Sequence, residues 1–181
     1  TLPILFRTLG PDGHGLIFIY IMIPQVFVMV VGLGMNTANV YLLGSGQYTI
    51  QEVTTTAFLW CTITTFIGLS GYVVLVRYVI AHVYPPGPEG LTPYYIASLF
   101  IPFSLFSLTG RSILLGQGRI ERSNFARLMQ PVSYCLLLAV VMIFFLLGYF
   151  GRTMALNLVV LAAALSFSTE GIVAFASVSR H

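Results

Sequence analysis

This chain is short of charge. Its 181 residues hold eight arginines, five carboxylates and no lysine, so only 7% of positions carry formal charge. A soluble domain is about one-quarter charged. A chain that is 57% hydrophobic, with a mean hydropathy of +0.94, cannot cover a water-facing surface with what remains. The same figures exclude a disordered chain, which needs low hydrophobicity. A net charge of +3, thinly spread, builds no patch able to neutralise a run of phosphates, so no nucleic-acid partner is expected. Cysteine is scarce as well: Cys61 and Cys135 lie in apolar runs and make neither a disulfide framework nor a metal site. The carboxylates Asp12, Glu52, Glu89, Glu121 and Glu170 fall on separate stretches, so no cluster holds a divalent metal. Gly44-Ser45-Gly46 and Gly116-Gln117-Gly118 lack a phosphate-loop lysine. No cofactor is expected.

What the chain has instead is long apolar runs. A helix crosses roughly 30 Å of hydrocarbon with about 20 apolar residues. Charge-free stretches of that order run from Gly15, Val53, Gly90 and Leu128, and a last one, Thr153 to Ser179, is broken by Glu170 alone. They are continuous, unlike the alternating segments of about ten residues in a membrane barrel. Backbone groups in lipid must pair within the segment, so helices are expected. The fold class that follows is all-α: a polytopic transmembrane helix bundle with five complete spans, at residues 15–36, 53–83, 92–115, 128–150 and 153–177, plus the end of a sixth at 1–7. Thr1 to Phe6 is too short to cross a bilayer, and no basic stretch precedes it as in a secretory signal. Residues 1–181 are therefore expected to be a piece of a longer chain, cut inside or just after a helix.

Turn chemistry separates the spans. Gly10-Pro11-Asp12-Gly13 reads as a tight turn, Tyr84 to Gly90 as a rigid proline-rich loop, and Gly148 to Gly151 as another turn. The stretch from Arg111 to Arg127 carries Arg111, Arg119, Arg122 and Arg127 against Glu121 alone, which predicts a cytoplasmic connection. Alternation then puts the turns near Pro11, Pro86 and Gly151 outside. The Asn36–Glu52 connection and Arg180 fall inside.

Polar groups inside the spans cost free energy and so carry information. Gln25, Gly32, Asn36 and Asn39 fall on one helical face, either lining a groove or packing closely against another helix. Pro24 should kink or weaken that helix. Arg77 lies near a span end, as an interface anchor that snorkels outward or as a cation facing an external cleft. Glu170 lies near the middle of the last span on a face with Ser166 and Ser177. It should look into the bundle, pairing with an arginine or serving as a coupling site for a proton or cation. Ser104, Ser107 and Arg111 form a further stripe, which also suits packing.

Gly68-Leu69-Ser70-Gly71 resembles the nucleophile motif of rhomboid intramembrane proteases. That chemistry needs a histidine on another helix to take the serine proton. His14 and His82 lie at loop edges and His181 at the terminus, so no catalytic residues are assigned and no enzyme is expected.

Three motifs in order carry a broader resemblance. Leu9-Gly10-Pro11-Asp12-Gly13-His14-Gly15 is similar to the "LGPxGxG" turn after the first helix of polysaccharide-type flippases, the O-antigen and teichoic-acid exporters of the MOP (multidrug/oligosaccharidyl-lipid/polysaccharide) superfamily. Gly32-Leu33-Gly34-Met35-Asn36-Thr37-Ala38 resembles that family's "GLGxAxx" end of helix two. Leu114-Leu115-Gly116-Gln117-Gly118-Arg119-Ile120 with Asn124 resembles its "LxGxGRxxxxN" connection, and Arg127-Leu128-Met129-Gln130-Pro131 the start of helix five. The family often has Tyr where this chain has His14.

The resemblance implies one lobe of a two-bundle, multi-pass transporter in the cytoplasmic (inner or plasma) membrane, with residues 1–181 as the N-terminal transmembrane bundle of the longer chain. Its substrate would be a polyprenyl-pyrophosphate-linked oligosaccharide, moved between leaflets by alternating access for cell-surface polysaccharide biosynthesis. The partners implied are that lipid-linked substrate, membrane lipids, a coupling cation (H+ or Na+) and the glycan-polymerisation machinery. Arg7, Gln25, Asn36, Arg77, Arg111, Arg119 and Arg122 become the substrate-binding candidates, because forked guanidinium donors suit a pyrophosphate. Topology and headgroup contact explain the inner arginines equally well. Glu170 becomes the ion-coupling candidate. The alternatives are a small-molecule or multidrug exporter of the same superfamily, or a noncatalytic membrane scaffold.

Overall fold

A computed structural model describes residues 2–32, 34–80, 82, 90–149 and 151–178, with side chains from Gly15 onward except that of Arg152. Among the described residues there are helices and turns but no strands. The helices are α1 (Leu2–Gly32), α2 (Met35–Gly44), α3 (Ile50–Leu75, continued by a π-helical turn, Val76–Ile80), α4 (Thr92–Ala97), α5 (Phe100–Gly116), α6 (Ile120–Leu146) and α7 (Arg152–Val178). Five stretches are long and apolar enough to cross a membrane: Gly15–Gly32, Ile50–Ile80, Thr92–Gly116, Ile120–Leu146 and Thr153–Val178. The chain is an all-α, multi-pass membrane protein, with its spans close to where the charge-free runs put them.

The differences lie at the ends of the helices. The turn expected at Gly10-Pro11-Asp12-Gly13 does not form, and α1 runs through it. A proline's fixed φ near −65° is itself helical, so Pro11 removes one backbone hydrogen bond but does not end α1. The first real break comes at Gly34, whose φ of 73° is left-handed and open to glycine without penalty. α2 therefore leaves the line of α1 and lies against α5. The connection expected to span Arg111 to Arg127 shrinks to Gln117-Gly118-Arg119, again on a left-handed glycine, Gly118. Arg111 belongs to α5, and Arg122 and Arg127 belong to α6. Thr49 and Glu52 start α3 by capping each other: the Thr49 N–H donates to Glu52 Oε2 (2.9 Å) and the Glu52 N–H donates to Thr49 Oγ1 (3.3 Å).

The third span is one rod with a tightened turn at Ser98-Leu99. Pro102 has no N–H to offer the Ser98 carbonyl, which accepts instead from the Ile101 N–H at 3.1 Å. That join makes α4 and α5 a single crossing.

α5 and α7 form the centre of the bundle. About half of each span is buried (56% and 50%), against 17% for α6 and 22% for the span of α1, so α1, α3 and α6 are peripheral. The central crossing is close because its residues are small. A Cβ on Gly171 would stand 2.6 Å from the Phe106 ring, and one on Gly110 would stand 2.9 Å from the Ala174 Cβ. With no water-driven hydrophobic effect between helices in lipid, such close approach supplies the packing attraction. α2 meets α5 the same way at Gly116, where a Cβ would be 2.7 Å from that of Leu43. Asn39, expected on the face of Gln25, turns with α2 toward α5 and donates to Ser112 Oγ at 3.0 Å.

Candidate functional site

Three of the four arginines near the α5–α6 turn are occupied in holding helices together. Arg111 Nη1 donates to Glu170 Oε1 at 3.0 Å, across the α5–α7 crossing; the Glu170 side chain is 1% exposed and that of Arg111 25%. Burial in a low-dielectric interior makes an unpaired carboxylate expensive, and the arginine removes most of that cost. Arg119 and Arg122 each donate to the Ser177 carbonyl at 3.2 Å. They satisfy the open carbonyl end of α7, where cations also suit the helix dipole.

Arg127 is placed differently. Its side chain is exposed, it makes no ion pair or hydrogen bond among the described residues, and it borders the largest cavity described. That cavity, about 610 Å³, lies between α1, α6, the start of α5 and α7. Gln25, Asn124, Arg127, Gln130, Tyr134 and Ser166 supply its polar groups, and Ile21, Phe100 and Phe167 are among its apolar walls. Pro131, also in the wall, has no N–H to give the Arg127 carbonyl, which leaves a backbone acceptor without its helical donor.

Ile21, in the wall of this cleft, packs against an apolar cluster that joins Ile17 of α1 to Leu138, Val141 and Met142 of α6 and to Leu156 and Val159 of α7.

Two smaller cavities follow the same face of α1. One of about 430 Å³ adjoins the large cavity at Gln25 and is lined also by Gly32, Gly34 and Asn36. The next, about 310 Å³, shares Asn36 and reaches Arg111 and Ser112. Asn36 Oδ1 is buried and has no hydrogen-bond partner among the described residues. The structure thus brings Gln25, Asn36 and Arg111 along one polar track. It leaves Arg77 apart, exposed on the π-helical turn at the opposite end. Arg7 lies on α1, with its side chain outside the described residues, as is that of His14; most of the Tyr84–Gly90 loop and Arg180 are outside as well.

Sequence reasoning listed neither Asn124, Arg127, Gln130, Tyr134 nor Ser166 as substrate-binding. Asn124, Arg127 and Gln130 are spaced by three and three, which is one helical face, and that spacing was the available signal. Ser104 and Ser107 are buried at the α5–α7 crossing with unpartnered hydroxyls, away from the cleft, which favours packing for that stripe. The rhomboid-like Ser70 donates to the Ile67 carbonyl at 3.0 Å and points out of the bundle. His82 lies about 18 Å further along the same helical run. Among the described residues no three His, Cys, Asp or Glu side chains could hold a metal.

Fold and cleft together define a multi-pass membrane helix bundle with an amphipathic cleft. Compared with known protein families, curated proteins and solved structures, the chain matches none.

Proposed function

We propose that this bundle is one lobe of a polysaccharide-type flippase in the cytoplasmic membrane, which moves a polyprenyl-pyrophosphate-linked oligosaccharide between leaflets. The observation that carries the reading is the cleft, in which amides, a tyrosine and an unpaired arginine line a hollow about 610 Å³ in size within a membrane-spanning bundle. A glycan and a pyrophosphate cannot cross hydrocarbon without losing many hydrogen bonds to water, and such a surface replaces them. The polar track along α1 gives the headgroup successive partners from Gln25 to Asn36. A second bundle facing the cleft would let it open to each side in turn.

In this reading Arg127 takes over the phosphate-binding role expected of Arg111, Arg119 and Arg122, which already have protein partners. Arg77 meets the headgroup at the far side. Glu170 couples to H+ or Na+ only in a state where Arg111 has released it. Partner contacts with the polymerisation machinery belong to the same proposal.

The test is reconstitution of the full-length protein in vesicles carrying a fluorescent polyprenyl-pyrophosphate oligosaccharide, with headgroup accessibility to an external quencher or lectin followed in time. Translocation faster than in protein-free vesicles, slowed by Arg127→Gln, supports the proposal; the protein-free rate overturns it. The cavity volume also lies in the range of about 300–1,000 Å³ usual for drug-sized ligands, which favours a small-molecule exporter as the second reading. Its signature is efflux of amphipathic dyes without glycan translocation.

A further inference from the structure

The cleft between α1 and α6 is edged by exposed apolar side chains of both helices. Leu128 and Val132, next to the cavity on α6, are exposed, as are Met22 and Val26 beside Gln25 on α1. These exposed apolar side chains at the edge of the cavity face lipid in a membrane-spanning bundle.

The lining is graded along α6. Asn124 and Arg127 stand nearest the helix start, Gln130 follows, and Tyr134 faces Ile21, Phe100 and Phe167 further in. α6 spans 27 residues, or about 40 Å, about 10 Å longer than the hydrocarbon is thick. Arg127 lies seven positions from Ile120, about 10 Å along the axis. A centred helix puts it just inside the boundary where lipid phosphates meet acyl chains. An arginine there snorkels toward that boundary, and unlike Arg111, Arg119 and Arg122 its guanidinium has neither an ion pair nor a hydrogen bond among the described residues.

We propose that this cleft is a lateral binding site for an anionic membrane amphiphile. Its phosphate is held by Arg127 with the Asn124 and Gln130 amides, and its hydrocarbon tail lies against Ile21, Leu128, Pro131 and Phe167. The proposal names where the flippase substrate would leave the leaflet, and so rests on that reading for its purpose but not for its test. Charge decides the occupant: a cation with no ion pair or hydrogen bond among the described residues, set beside apolar walls, suits an anionic headgroup with its tail attached. A free anion would leave those walls facing water, and a zwitterion would bring its own cation toward Arg127.

The probe is spin-labelled phosphatidic acid in phosphatidylcholine nanodiscs holding the full-length protein. Its motionally restricted fraction is read by electron paramagnetic resonance, with spin-labelled phosphatidylcholine in a parallel set. The wild-type protein should restrict the anionic probe over the zwitterionic one. Arg127→Gln should weaken that preference about tenfold, the value of one charge-assisted contact, while Arg127→Lys keeps much of it. Equal restriction by Arg127→Gln protein of unchanged elution and melting temperature overturns the proposal. Full displacement of the probe by excess inorganic phosphate overturns it too, because a free-anion site would then suffice. So does a wild-type dimer that buries the cleft and excludes the probe. Translocation is not measured, so a protein that restricts the lipid yet moves no glycan defeats the transport reading and leaves this one standing.

Discussion

Two pairs of helices carry most of the polar residues of this bundle and handle them in opposite ways. In the central pair, α5 and α7, Arg111 meets Glu170, Thr109 and Ser166 hydroxyls return to carbonyls of their own helices, and glycines bring the backbones together. In the peripheral pair, α1 and α6, Gln25, Asn124, Arg127 and Gln130 edge an open cavity. Apart from the buried Ser104 and Ser107 hydroxyls, which have no partner among the described residues, the central polar groups just named are satisfied by the protein and hold the fold; those left open to a hollow are available to a ligand. In lipid the contrast is sharper than in water, because no solvent supplies a missing partner. Charge alone is therefore a poor guide to a site here: of the four arginines at one end, only the one without a protein partner faces the cleft.

The contrast makes the centre fragile and the cleft permissive. Gly171→Leu should have the largest effect. Its Cβ would lie 2.6 Å from the Phe106 ring in a crossing that cannot widen without losing Gly110 against Ala174. Overpacking of this kind costs about 1–3 kcal/mol or more, so a strongly lowered melting temperature in detergent, or no folded protein, is expected. A melting temperature like that of wild type would mean that the central helices are not rigidly docked.

Glu170→Ala comes next, at about 2–3 kcal/mol, because Arg111 is left without its partner in a mostly buried place. The double change Arg111→Met with Glu170→Met should recover most of that loss if the pair serves the fold, as replaced buried pairs often do. A stable double variant that has lost translocation would instead put the pair in the transport cycle.

Asn39→Ala removes one buried amide–hydroxyl bond to Ser112 and should cost about 1 kcal/mol, read as a small drop in melting temperature. Arg127→Gln should change stability least, within about 0.5 kcal/mol, while weakening the preference for the anionic lipid about tenfold. A large stability loss there would erase the distinction between centre and cleft.

Type, number and approximate limits of the five complete spans followed from the sequence, because a charge-free apolar run of membrane length has few other fates in lipid; the end of a sixth span expected at 1–7 is instead the start of α1. The inward orientation of Glu170 was also legible, since an isolated carboxylate in a span must find a partner. Which partner it finds was not. Arg111 lies 59 positions away, and only the packing of Gly110 against Ala174 and Gly171 against Phe106 brings the two helices close enough for that pair. The break at Gly34 turned Asn39 away from the face it was expected to share with Gln25, since one left-handed residue redirects everything after it. Arg127 passed unlisted for the same reason. Its neighbours Asn124 and Gln130 mark a face on α6, but only the packing of α1, α5 and α7 around that face makes it the wall of a cavity. Hydrophobicity places a residue at a depth in the membrane, and the rotation and tilt of each helix, which decide whether that residue faces lipid, another helix or a hollow, are set by its neighbours.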